Sequence, residues 1–144
     1  MHIFPMILDN GMRIQGFPLK GIWMDVGRPR DLLRVNIVTA EKYGSGLGCI
    51  EDTSVAGTVY FGMGSEADCC NIIDSVILSK SMLKHSFISN SLIMSSCKIC
   101  DASIQNSIIG ENCVICKGAV IRNSVLEDGT YIESNSVLDE GREI

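Results

Sequence analysis

Four cysteines have the spacing of a metal knuckle. Cys97-Lys-Ile-Cys100 and Cys113-Val-Ile-Cys116 are two Cys-x-x-Cys pairs, the pattern with which zinc ribbons bring four thiolates onto one tetrahedral ion. His85, in Lys84-His85-Ser86, is a residue type that acts as general base toward a hydroxyl or an amine. The other histidine, His2, stands at the far end of the chain, so a centre built on three histidines finds no donors here. Nothing adjacent to His85 marks it as a base, and the bland expectation is a solvated turn residue. Met63, Met82 and Met94 read as gap-filling or surface apolar groups. What the thiols can do depends on the elements that carry them.

Those elements are periodic. Large apolar residues recur at Phe61, Ile77, Ile93, Ile109 and Leu126, in steps of 16, 16, 16 and 17. A second column runs Leu83, Ile99, Ile115, Ile132, and a third Ile72, Ile88, Ile104, Ile121, Leu138. Ser65, Ser81, Cys97, Cys113 and Thr130 form a small-residue column, and Asp74-Ser75, Asn90-Ser91, Asn106-Ser107 and Asn123-Ser124 recur at one phase. Each row is three segments of five or six residues, each opening with an aliphatic side chain, the hexapeptide rhythm of a triangular parallel β-helix. One coil cannot bury its corners alone; coils stacked about 4.8 Å apart turn each column into an apolar spine. Asx residues suit the turns. Cys97 and Cys113 then point inward one coil apart and Cys100 and Cys116 outward, so the four sulfurs do not converge. Packed or exposed thiols are expected, with stacked pairs open to air oxidation. Ile50 to Ser54 fits a first irregular coil and Leu126 to Glu143 a last one, with Ile144 opening another. The last coil lacks a cap, and a partner is expected to cover it.

The chain has 144 residues, 46% hydrophobic and 20% charged, with a formal net charge of −5. Disorder is disfavoured, and an acidic chain without a basic run argues against nucleic acid as a partner. No apolar run reaches the ~20 residues of a membrane span. Asp9 and Asn10 interrupt the start, which argues against an export signal. An odd count of seven cysteines suits reduced thiols in the cytoplasm. Residues 1–43 hold six Lys/Arg and four Asp/Glu, whereas 44–144 hold six and thirteen. The division falls at Tyr43-Gly-Ser-Gly-Leu-Gly48, giving segments 1–43, a linker 44–49, and a β-helix 50–144. In the first segment a short helix follows Pro5 and stops at Asn10-Gly11. A strand runs over Met12, Ile14 and Gly16 to Pro18, and a helix runs from Pro29 to Gly44. Three such elements are too few for a core of their own, so this segment reads as the tail of a larger domain.

Gly21-Ile-Trp-Met-Asp-Val-Gly-Arg-Pro-Arg-Asp-Leu-Leu33, followed by a linker and hexapeptide repeats, resembles the C-terminal part of sugar-1-phosphate nucleotidyltransferases. Its wording is most similar to that of mannose-1-phosphate guanylyltransferases, whose product is GDP-mannose. Phe4-Pro5, a Gly turn and a strand before the motif match the family's order. The resemblance implies a mainly β chain: a left-handed parallel β-helix preceded by a small α/β remnant of a nucleotidyltransferase domain. It implies NTP and sugar 1-phosphate as substrates, pyrophosphate and an NDP-sugar as products, and Mg²⁺ as cofactor. Asp25 takes the position of the family's Mg²⁺-binding Asp, and Trp23 and Gly27 shape the substrate motif around it. The chain departs from the family at Arg28. It also lacks the family's glycine-rich triphosphate loop, because Gly44-Ser-Gly46 and Gly62-Met-Gly64 have neither the following Arg nor the strand-to-helix context. No catalytic residue is therefore assigned. The chain is expected to be inactive alone, as a C-terminal fragment or one piece of a split protein.

The β-helix is expected to serve assembly into a homo-oligomer, with Phe87, Leu92 and Tyr131 as candidate contacts. A second class is an acyltransferase, since hexapeptide acyltransferases use a histidine as base and His85 lies in the repeats. A third is a non-catalytic assembly subunit.

Overall fold

The computed structural model describes residues 3–44, 46, 48–142 and 144. From Cys49 onward the chain winds through six coils of a parallel β-helix. One face stacks the strands Cys49–Glu51, Glu66–Asp68, Met82–Lys84, Lys98–Cys100, Val114–Ile115 and Tyr131–Ile132. A second stacks Phe87–Ser89, Ser103–Gln105, Val120–Arg122 and Val137–Asp139, and a third Leu92–Ile93, Ile108–Ile109 and Val125–Leu126. Ser54–Phe61 and Asn71–Ile77 run round the corner between the second and third faces and pair in parallel, with a register shift between Ala56 and Val59. That shift is the irregularity of the first coil.

The sequence columns are the observed registers. Phe61, Ile77, Ile93, Ile109 and Leu126 are successive partners, as are Leu83, Ile99, Ile115 and Ile132 and Ile72, Ile88, Ile104, Ile121 and Leu138. Together with Cys97 and Cys113 they form one continuous core. Each corner turns through a residue in the left-handed region. Asp74, Asn90, Asn106 and Asn123 hold φ between 43° and 46°, where an Asx side chain tolerates the geometry better than most. Asn90 Nδ2 donates to Asn106 Oδ1, Asn106 to Asn123 and Asn123 to Asp139, a ladder up one edge. Just inside it, Ser75, Ser91, Ser107 and Ser124 are fully buried. Each accepts the backbone N–H of the next coil, from Ser91, Ser107, Ser124 and Glu140 at 3.1–3.2 Å. A buried hydroxyl is stable only when paired, and the ladder pairs every rung. Where coils approach closely a side chain is excluded: a Cβ on Gly62 would lie 2.4 Å from the backbone nitrogen of Ser79.

Two helices precede the coils: α1 (Ile3–Asp9) and α2 (Pro29–Tyr43). Pro29 opens α2, and Asp31 accepts the Arg28 N–H at 3.1 Å, placing a carboxylate where the dipole favours it. The Gly44 N–H closes the helix on Ala40 O. The expected strand over Met12 to Gly16 is absent; those residues are irregular, with Met12 and Ile14 exposed. Alternation specifies a strand only when a neighbouring strand pairs with it, and no described residue does.

A second apolar cluster joins α2 to the coils. Leu33 packs with Val76, Leu92 and Ile108, flanked by Leu32, Ile37, Ala40 and Val125, and Thr58 Oγ1 donates to Glu41 Oε1 at 3.1 Å. Leu92, expected as an assembly contact, is 0% exposed. It points outward from the coil, but α2 covers it. Ile144 does not open a further coil; it packs into this same cluster. Phe87 is half-buried and Tyr131 exposed.

Candidate functional site

The segment Gly21 to Arg28 has no regular secondary structure, is exposed except at the half-buried Met24, and leads straight into α2. Trp23 and Asp25 line one open cavity of about 400 Å³ with Met24, Asp31, Arg34 and Val38. Their convergence is local: Trp23, Met24 and Asp25 are consecutive, and Asp31 and Arg34, three apart, share a face of the helix. Gly27 lies apart, in a cavity of about 300 Å³ with Val26, Arg28, Leu32, Ile108 and Val125. The motif's residues are thus split between two cavities, Trp23 to Asp25 on one and Val26 to Arg28 on the other. Asp31 lies within the quoted motif but was given no site role there, and Arg34, just beyond it, was missed; the helical spacing after Pro29 was the available signal.

The cavity does not fit a Mg²⁺ ion by itself. Asp25 belongs to no group of three donors among the described residues. Asp31, the second carboxylate lining the cavity, already holds the N-terminal amide of α2. Mg²⁺ asks for near-octahedral oxygen donors, and this wall supplies at most a part.

The four knuckle cysteines do not converge. Cys97 and Cys113 are buried, while Cys100 is exposed and Cys116 half-buried. Cys97 Sγ donates to Gly110 O at 3.1 Å, Cys113 Sγ to Glu127 O at 3.3 Å, and Cys116 Sγ to the Tyr131 hydroxyl at 3.2 Å. Burial pushes the Cys97 thiol up to about 11 and raises Cys113 as well, the opposite of what an activated thiolate requires.

His85 occupies a corner turn at φ 46° with an exposed side chain. Its Nδ1 lies 3.8 Å from Asp101 Oδ1. Asp101 sits one coil further on, 16 residues along the sequence, so the period itself pointed to this partner.

The parallel coils and fixed-phase columns define a hexapeptide-repeat β-helix protein. Residues 81–141 match the sequence model of the family described as GlmU-like, C-terminal hexapeptide. A comparison with curated proteins gave no match. Among the described residues no helix is long and apolar enough to cross a membrane.

Proposed function

We propose that the chain acts as the C-terminal region of a sugar-1-phosphate nucleotidyltransferase, one that joins GTP and mannose 1-phosphate into GDP-mannose and pyrophosphate. One observation carries this reading. The Trp23–Asp25 segment is coupled to the β-helix through α2, whose Leu33 is locked on Val76, Leu92 and Ile108. The motif and the repeats therefore form a single unit. Around it, Phe4, Phe17, Leu19 and Trp23 are 68–86% exposed. An apolar surface of that kind needs covering, and a nucleotide-binding domain packed on residues 3–28 would cover it. In that setting Asp25 contributes one carboxylate toward Mg²⁺ and Arg34 a cation toward a phosphate, the remaining donors coming from the covering domain. The β-helix holds copies together through its half-buried Phe87 and exposed Tyr131.

The test places this chain behind the catalytic domain of a mannose-1-phosphate guanylyltransferase, in place of that enzyme's own C-terminal region. The chimera is expected to release pyrophosphate, to lose most of its turnover on Asp25→Asn, and to sediment as an oligomer. The chain alone is expected to release none. Pyrophosphate from the isolated chain, or a folded chimera indifferent to Asp25→Asn, overturns the reading.

A second reading is acyl transfer with His85 as base, favoured by the His85–Asp101 pair, since a carboxylate that orients an imidazole is the usual partner of a general base. Loss of an acyl-CoA-dependent activity on His85→Ala would support it; no acyl-CoA binding would dismiss it.

A further inference from the structure

The corner between the first and second faces carries one left-handed residue per coil: Asp52, Cys69, His85, Asp101, Gly118 and Asn135, with φ of 42°, 51°, 46°, 49°, 77° and 61°. Each one after Asp52 is pinned to the coil before it. The N–H of Cys69 donates to Glu51 O at 3.1 Å, that of His85 to Asp68 O at 2.9 Å, and that of Asp101 to Lys84 O at 2.9 Å. Side chains at this position therefore leave the corner in a single file, about 4.8 Å apart.

Four of the six rungs are the turn formers Asp, Gly and Asn. The two exceptions, Cys69 and His85, are adjacent. Cysteine is a poor choice for the left-handed region, where glycine and Asx are favoured. Its neighbours give it a chemical context. The donor atoms of Asp68, Cys69 and His85 all lie within 4.8 Å of one another, and Asp101 Oδ1 stands 3.8 Å from His85 Nδ1.

We propose that this corner binds a divalent transition-metal ion of the zinc class. Cys69 Sγ, one ring nitrogen of His85 and an Asp68 carboxylate oxygen are the three protein ligands. Asp101, 3.8 Å from His85 Nδ1, is close enough to orient the imidazole once the side chains close on the ion. The side chains of His85 and Asp101 are 57% and 41% exposed, so the fourth position opens to water. A thiolate, an imidazole and a carboxylate form a borderline donor set that favours Zn²⁺ or Co²⁺ over the all-oxygen preference of Mg²⁺ and Ca²⁺. Bonds of about 2.0–2.3 Å bring tetrahedral donors to under about 4 Å apart, so the half-buried Asp68 and the exposed Cys69 and His85 need to close by only about 1 Å. Binding exchanges the thiol proton of Cys69 for the metal–sulfur bond, and that proton leaves to solvent. The ion also links two successive coils through Asp68–Cys69 and His85.

The experiment is a Co²⁺ titration of the reduced full chain, read by absorbance. One Co²⁺ per chain is expected, with a thiolate-to-cobalt charge-transfer band, the visible bands of tetrahedral geometry, and their loss on adding Zn²⁺. Cys69→Ser is expected to remove the charge-transfer band and His85→Ala to abolish the tetrahedral spectrum. Asp101→Asn should weaken binding about 10–100-fold, as for other groups that orient a ligating histidine. Cys100→Ser and Cys116→Ser should leave the titration unchanged. Every altered side chain is exposed or half-buried, and far-UV circular dichroism verifies that each variant folds. No tetrahedral spectrum in the unaltered chain overturns the proposal, and so does a spectrum that survives Cys69→Ser or disappears with Cys100→Ser.

Discussion

Asn90 Nδ2 donates to Asn106 Oδ1 at 2.9 Å, across two successive coils at the same corner. Asn106 passes the pattern on, donating to Asn123 Oδ1 at 2.8 Å. The ladder and the left-handed backbone, φ 46° at Asn106, separate under mutation. Asn106→Ala loses both hydrogen bonds and also the Asx side chain that makes the left-handed backbone tolerable, at a combined cost of about 1–3 kcal/mol. Asn106→Gly loses the same bonds but relieves the backbone. Urea denaturation is expected to rank the two with glycine the milder. Equal losses would assign the whole effect to the side-chain ladder.

The contact between α2 and the coils is the most consequential apolar junction outside the core. Leu92→Ala, at a fully buried site, should cost about 2–5 kcal/mol. Leu33→Ala should cost a similar amount, because both side chains belong to one cluster. A double-mutant cycle between them is expected to show a coupling of about 0.5–3 kcal/mol. Additivity would mean that α2 does not rest on Leu92 in solution.

Asp139 ends the Asn ladder. Asn123 Nδ2 donates to its Oδ1 at 3.1 Å, and the Gly141 N–H does so at 3.1 Å as well. These bonds, the one from Asn123 first, hold the carboxyl below its ordinary value. A carboxylate with a lowered folded value stabilises the fold above about pH 4, and that contribution is lost as pH falls through the lowered value. Asn123→Gly keeps the turn and removes the donor. Carbon-detected NMR of the Asp139 carboxyl should then show its titration move up toward the ordinary range; an unmoved midpoint would remove Asn123 as the cause.

The inward columns were legible because a β-helix repeats one side-chain type at one phase, so Ile77, Ile93 and Ile109 announce themselves 16 residues apart. The outward column was legible too, in principle. Val76-Ile77, Leu92-Ile93, Ile108-Ile109 and Val125-Leu126 are apolar doublets. In a strand, consecutive side chains face opposite ways, so each doublet implies a second apolar surface to be covered. Reading only the inner member turned Leu92 into an exposed contact. The strand over Met12 to Gly16 failed for a different reason: alternation states which face is apolar but cannot supply a pairing partner. At the candidate site, Trp23 and Asp25 stood out by motif, whereas Asp31 and Arg34 enter only because α2 folds back over that segment. The Asp68–Cys69–His85 corner combines neighbours in sequence with a residue one coil away, and the 16-residue step from Cys69 to His85 was the signal for it.

Cys97 makes the fold sensitive to alkali in a calculable direction. Its side chain is 0% exposed, and burial lifts the thiol from 9.0 to about 11. Between those values the folded chain keeps a proton that the unfolded chain releases, so unfolding is increasingly favoured as pH rises. The contribution is therefore complete below about pH 9 and is lost on the way to about pH 11. Cys113 and Cys70, also raised by burial, act in the same direction. Cys97→Ser retains a small side chain able to reach the Gly110 carbonyl but has no group that titrates in this window. Denaturation midpoints measured from pH 8 to 11 should fall less steeply for Cys97→Ser than for the unaltered chain. Parallel curves would show that Cys97 ionises in the native state as readily as in the unfolded one, which is incompatible with its place in the interior.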